Sequence, residues 1–174
     1  MSVKYWAFTE TAVRAMAKHN ERPIIFPLSN PISCAEAKPA DVERWSEGRA
    51  LIGCGSPFPP ITRGGVPFRV AQTNNSYIFP GVGLGAIAAQ ARRISDAMFM
   101  AAARALAALS PSRRDPKANL LPPVTALHDV AVAVAVAVGK QAQADGLAAY
   151  RGDVEQAARG KMWTPKYLPY RRAG

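Results

Sequence analysis

Arg22-Pro23-Ile24-Ile25-Phe26-Pro27-Leu28-Ser29-Asn30-Pro31 places an apolar run from Pro23 to Leu28 between a charged residue and a turn-forming tripeptide. A short run without polar alternation is the pattern of a strand buried on both faces of a parallel sheet. Its prolines suit the ends or an edge, because each lacks the N–H that a ladder needs. Ser29-Asn30-Pro31 ends the strand in a turn. Upstream, Thr9 is placed to cap a helix over about 10–19, with Phe8 and Val13 as a hydrophobic staple and Asn20 as its stop. Downstream the grammar repeats. Pro39 to Glu47 reads as a helix with Gly48 past its end, and Ala50-Leu51-Ile52-Gly53 as a second strand. Gly55 to Pro60 is a rigid loop, and Gly64-Gly65 between Ile61-Thr62 and Val66-Pro67-Phe68 predicts a small hairpin. Gln72 to Ser76 reads as polar loop and Tyr77-Ile78-Phe79 as a third apolar strand.

The remainder reads as helical. Leu84, Ile87, Ala88 and Ala91 share one helical face. Ser95 is placed to cap the next helix, with Met98, Phe99, Ala102, Leu106 and Leu109 at helical spacing. Ser110 to Pro123 is a connection rich in proline and basic residues. From Val130 to Val138 valine alternates with alanine, large with small rather than apolar with polar. The stretch from Thr125 to Asp145 has no breaker except Gly139 and is too long for a typical strand, so it reads as a helix buried on nearly all sides. A last helix covers about Asp153 to Met162. Strands interleaved with helices give an α/β class: about three parallel strands covered by helices, with a helical C-terminal half. No internal repeat or domain boundary divides the 174 residues, which read as a single domain.

The composition is globular, with 49% hydrophobic and 20% charged residues, but the net charge is +10. The positive residues are scattered, with pairs at Arg92-Arg93, Arg113-Arg114 and Arg171-Arg172. No helix carries a basic stripe and no aromatic residues alternate with basic ones, so solvated surface charge is the better reading than a nucleic-acid partner. Cys34 and Cys54 form no metal-ligand spacing and no disulfide framework; they read as reduced thiols, at least one of them buried. Met1 to Tyr5 has no apolar core of a secretory signal. The apolar run Val130 to Gly139 is half the length a bilayer requires. The expectation is a cytoplasmic chain without a membrane partner.

Gly81-Val82-Gly83-Leu84-Gly85 invites a dinucleotide-loop reading, since glycines let a backbone approach a pyrophosphate at a helix N-terminus. Position 86 is Ala and no acidic residue stands at the right distance, so a tight turn with close packing is favoured. Three neutral polar clusters fall near strand ends: Ser29-Asn30 after the first, Gly55-Ser56 after the second, and Asn74-Asn75 just before the third. Asparagine amides can hold a carboxylate or carboxamide without adding charge, although such residues also form ordinary turns. His19 and His128 sit at helix ends, and none of the 12 carboxylates falls in a metal-ligand or acid/base spacing. No serine lies in a nucleophile elbow.

Read together, these segments resemble signatures of malic enzymes. The resemblance rests on Arg22 to Pro31; on Glu47-Gly48-Arg49-Ala50-Leu51 followed by Gly55-Ser56-Pro57-Phe58; on Asn74 to Gly85; and on Arg93-Ile94-Ser95-Asp96, all in family order. It runs from about Phe8 to the C-terminus, with Met1 to Trp6 outside it. It implies the C-terminal part of the family's NAD-binding domain, a partial Rossmann-like sheet, and oxidative decarboxylation of malate to pyruvate and CO2. It implies NAD or NADP as cofactor and Mg or Mn as the divalent metal. In the family a lysine, a tyrosine, an arginine, three acidic metal ligands and the glycine-rich loop lie upstream of the matched region, so no catalytic or metal residue is expected here. By resemblance Asn30 contacts malate and the nicotinamide end of the cofactor, Asn75 a malate carboxylate, and Asn74 lies near the cofactor. Ser29 is a cofactor-side candidate that shapes the turn. This reading needs Asn30 and Asn75 to share a cavity. Two departures stand out: Ala71-Gln72-Thr73 replaces the family's glycines around the glutamine, and Ile32 stands where threonine is usual. The second reading is a non-catalytic binding or assembly module. A half sheet with an unpaired edge favours self-association or association with an upstream malic-enzyme segment.

Overall fold

The computed structural model describes residues 7–115, 118–163 and 169. Helix α1 spans Glu10–His19, and Thr9 caps it by accepting a hydrogen bond from Ala12 N at 3.3 Å. Phe8 packs against the cluster that holds Val13, as a staple would. The other elements are β1 (Ile24–Ile25), α2 (Pro39–Trp45), β2 (Leu51–Cys54), β3 (Ile61–Arg63), β4 (Val66–Phe68) and β5 (Ala71–Gln72). Four helices follow: α3 (Phe79–Ala88), α4 (Asp96–Ala108), α5 (Leu127–Ala144) and α6 (Val154–Lys161).

Strands β1, β2 and β5 form a three-stranded parallel sheet with β2 in the centre, while β3 and β4 pair as the expected hairpin. Strand β1 is short because Pro23 and Pro27 bracket it. Both prolines still serve the ladder as acceptors: Leu51 N donates to Pro23 O at 2.9 Å and Gly55 N to Pro27 O at 3.0 Å. Arg49 ties α1 to the start of β2 by donating to the carbonyls of Ala17, Asn20 and Glu21. The Glu43 carboxylate pairs with Arg63, so the hairpin is fastened to α2.

The third strand differs from the expectation. Tyr77-Ile78-Phe79 is not extended: Asn75–Tyr77 is a 3-10 turn, and α3 begins at Phe79 with Pro80 in its first turn. The local chemistry explains the difference. Asn74 Oδ1 accepts from Ser76 N at 3.0 Å and caps the turn, and the Tyr77 hydroxyl donates to Pro122 O at 2.6 Å. Ala71–Gln72, whose Gln72 is expected in a loop, is the strand. Asn74 and Asn75 therefore follow the third strand instead of preceding it.

Gly81 to Gly85 likewise lies inside α3 and not between a strand and a helix. A Cβ on Gly81 would stand 2.6 Å from Val134 Cβ, and one on Gly85 would stand 2.5 Å from Ala135 O. The glycines let α3 lie directly on α5, which is the packing reading. The buried face of α3 is Gly81, Val82, Gly85 and Ala88, while Ile87 is 64% exposed, so the expected stripe is rotated. The alternating valines do form a helix, because α5 is enclosed by α3, α4 and α6. Val130, Val134 and Val138 line up in one core cluster with Met98 and Ala102 of α4. Counted with its preceding 3-10 turn, Val124–Ala144 is long and apolar enough to cross a membrane, longer than the sequence run suggested. In this fold it is the central helix of a four-helix layer.

Gly85→Ala is expected to lower stability by about 1–3 kcal/mol through overpacking against α5. Gly83→Ala, whose Cβ would meet nothing within 4 Å, is expected to raise it by roughly 0.5–1 kcal/mol. Urea midpoints at unchanged slope read both.

Candidate functional site

All three polar clusters gather at one edge of the sheet, beyond the C-terminal tips of its parallel strands, where α/β folds hold ligands. Ser29 and Asn30 follow β1, Gly55 and Ser56 follow β2, and Thr73, Asn74 and Asn75 follow β5. With neighbouring strands about 4.8 Å apart, the outer tips stand roughly 10 Å from one another across Gly55.

The turn after β1 is fixed on both sides. Ser29 N donates to Glu36 Oε2 at 3.0 Å and Ser29 Oγ to Glu36 Oε1 at 2.6 Å. On the other side Ser56 Oγ, in a 95%-buried residue, donates to Asn30 Oδ1 at 2.6 Å. The Asn30 carbonyl oxygen is thereby occupied. Among the described residues its Nδ2 reaches only Leu28 O at 3.5 Å, a weak contact that leaves the second amide hydrogen for another acceptor. Gly55 makes this approach feasible, because a Cβ there would collide with the Leu28 carbonyl and stand 3.0 Å from Asn30 Nδ2. Gln72 Nε2 donates to Gly55 O at 3.3 Å and Thr73 N to Cys54 O at 2.7 Å, which joins the third tip to the second.

Asn74 and Asn75 divide their work. The Asn74 oxygen is committed to Ser76 N as a cap. The Asn75 side chain is exposed and makes no hydrogen bond among the described residues. Both line a cavity of about 750 Å³ floored by Phe26, Leu28, Ile78 and Leu106. Asn30 does not line it, so the cavity expected between Asn30 and Asn75 is not formed by these residues alone. The reason is Leu28, which stands at the cavity wall while the chain turns away toward Ser56 at Asn30.

Glu36 is the ionisable partner of this edge. Partial burial acts to raise its pKa, but the hydroxyl and amide of Ser29 outweigh that and hold it below the usual carboxylate range. Cys54 is buried and free, and its thiol is pushed up to about 12 by burial and by the Glu36 charge. Among the described residues no group of three or more His, Cys, Asp or Glu could hold a metal ion. His19 ends α1 and His128 lies in the first turn of α5, on other elements. The roles of Glu36 and Ser56 were not legible in the sequence, because seven and 26 residues separate them from their partners and no periodic signal links them.

A parallel sheet whose tips collect neutral amides, backed by a helical layer, defines an α/β ligand-binding domain of Rossmann type. Within that class the chain belongs to the malic enzymes: the family model described as "Malic enzyme, NAD binding domain" matches residues 1–143. That match takes in Met1 to Trp6, which lie outside the motifs that carry the resemblance. The chain is 49% identical over 167 residues to an "NAD-dependent malic enzyme" of Shewanella baltica and 48% identical to one of Aeromonas hydrophila. In each case 95% of this chain is covered but it spans only 30% of the relative's length. Among solved structures it is similar to a malic enzyme of Pyrococcus horikoshii, with TM-score 0.67 and 26% identity over 92% of this chain and 32% of that one. It is also similar to the Entamoeba histolytica malic enzyme, with TM-score 0.70 and 28% identity over 90% of this chain and 29% of that one.

In the native protein a thiol reagent at mildly alkaline pH is expected to modify Cys34 and leave Cys54 untouched until denaturant is added. Mass spectrometry of the two cysteine peptides reads the outcome. Rapid native labelling of Cys54 would contradict the burial and charge described for it.

Proposed function

We propose that this chain supplies one wall of the malate and nicotinamide pocket of an NAD-dependent malic enzyme, whose reaction is oxidative decarboxylation of malate to pyruvate and CO2. The carrying observation is that Asn75, in a chain of the malic-enzyme family, keeps its amide uncommitted at the wall of the cavity. Asn30, with one weak amide bond to Leu28 O, lies outside that cavity, so the two amides share no single cavity and face different parts of the bound ligands. NAD is the cofactor because the curated relatives are named NAD-dependent. Bound NAD would accept the hydride leaving malate C2. The residues present fit the nicotinamide end of such a cofactor by their neutral amide donors, while the glycines at 53 and 55 serve the protein's own packing, since a Cβ there would meet Thr73 or Leu28. They do not fit the divalent metal, which in our reading is held with the base and the acid by other parts of the enzyme.

Within this reading Asn75 donates to a malate carboxylate and Asn30 to the substrate or the nicotinamide carboxamide. Neither brings a charge that would oppose hydride loss. The apolar floor of Phe26, Leu28 and Leu106 keeps water from the reacting carbon. A hydrogen bond to an ionised carboxylate contributes about 1.5–3 kcal/mol, so Asn75→Ala is expected to weaken malate binding by roughly tenfold or more. Side-chain amide resonances of Asn30 and Asn75 should shift on adding NAD and malate. Purified chain with malate, NAD and Mn2+ is expected to give no NADH; sustained reduction would overturn the division of labour proposed here.

A second reading, an assembly module, is favoured by one observation. Strand β1 is an edge of the sheet, and Ile24 on it is 60% exposed. Sedimentation velocity is expected to show concentration-dependent association that Ile24→Lys abolishes; a clean monomer at all concentrations rejects it.

A further inference from the structure

The turn that carries Asn30 is held from behind by a single carboxylate. Both oxygens of Glu36 close on Ser29, one on its amide at 3.0 Å and one on its hydroxyl at 2.6 Å. Glu36 lies past the turn, after the short 3-10 segment Ile32–Cys34, so the loop from Ser29 to Glu36 is closed on itself. Phe8 N donates to Glu36 O at 3.2 Å, which anchors the residue to the segment leading into α1. From the front, Ser56 holds the Asn30 oxygen. Asn30 is thus gripped between an anchored carboxylate acting through Ser29 and a buried hydroxyl.

We propose that Glu36 is a positioning residue for the pocket: by clamping Ser29 it sets where the Asn30 amide points, without itself meeting substrate or cofactor. This rests on the reading of Asn30 as a ligand donor. The physical case is the donor and acceptor inventory. An ionised carboxylate offers acceptors on both oxygens, and Ser29 presents two donors to them. A glutamine has the same shape but one acceptor and one NH2 group. In Glu36→Gln the Ser29 amide can keep the remaining oxygen, but the hydroxyl must reverse to accept from the new NH2, and the charge that strengthens both bonds is gone. The clamp that aligns Asn30 with Ser56 is then weakened, while the Asn74–Asn75 segment, where Asn74 Oδ1 accepts independently from Ser76 N, is left alone.

The test uses the 15N-labelled full chain, its E36Q and S29A variants and the double variant, with NAD as the probe. In E36Q the Asn30 side-chain amide resonances are expected to move while those of Asn75 stay in place, and NAD affinity to fall roughly tenfold. S29A, which removes the hydroxyl and keeps the backbone bond, should move the Asn30 resonances less. The double variant should bind no worse than E36Q, since both changes break one clamp. Unmoved Asn30 resonances in both single variants overturn the proposal, as does an equal shift of Asn30 and Asn75, which marks general loosening. If E36Q fails to fold, S29A alone decides by the same resonances. If wild-type chain shows no NAD binding, the functional reading fails, and the Asn30 resonances still decide whether Glu36 positions the amide.

Discussion

The Leu28–Asn30 turn lies directly across the end of β2, close enough that a Cβ on residue 55 would strike the Leu28 carbonyl. The rest of the site depends on that approach. It brings Asn30 within reach of the buried Ser56 hydroxyl, and it lets Gly55 N extend the parallel ladder to Pro27 O. It also leaves the Gly55 carbonyl for Gln72, so the third strand tip is drawn to the same point. One missing methyl group therefore sets the spacing of three turns. A larger residue would separate them even with every strand intact.

The helical half solves a related problem by the same means. Gly81 and Gly85 allow α3 to settle onto the Val134–Val138 stretch of α5, and the alanines between those valines keep the interface thin. Because α5 is covered by α3, α4 and α6, its valines do not need a polar face. The packing has a consequence at the sheet edge. Helix α4, fixed against α5 through Met98 and Ala102, presents Leu106 to the cavity beside Asn74 and Asn75. The core of one layer thus builds the wall of the pocket in the other.

The electrostatics of the edge are equally spare. At the strand tips the groups are neutral amides and hydroxyls with Glu36 turned inward onto Ser29, while Arg113 lines the cavity beside Asn74 and Asn75. Part of the net charge of +10 therefore stands at the cavity, where Arg113 favours an anionic group. Such a surface can attract a carboxylate by charge and orient it, with a carboxamide, by the direction of its amides. This suits a wall that orients reactants while another part of the enzyme supplies the reactive groups.

Much of this was already written in the sequence. Thr9 and Ser95 announce their helices because capping is a local matter, settled by a side chain and an amide three residues on. The Gly64-Gly65 hairpin and the first two strands are local in the same sense, and the motifs from Arg22 to Asp96 carry the family. Tyr77-Ile78-Phe79 misled because Tyr77 and Ile78 serve the helical core and the Tyr77 hydroxyl a bond to Pro122, 45 residues distant, while Phe79 is exposed. Ala71–Gln72 was invisible as a strand because two residues show no periodicity. By itself the sequence determined which backbone segments form and which residue types stand at their ends. Only the tertiary structure decided that Glu36 and Ser56 hold Ser29 and Asn30 from opposite sides, and that Asn30 turns away from the cavity of Asn75. Hydrogen bonds between distant residues depend on three-dimensional separation, which no local pattern encodes.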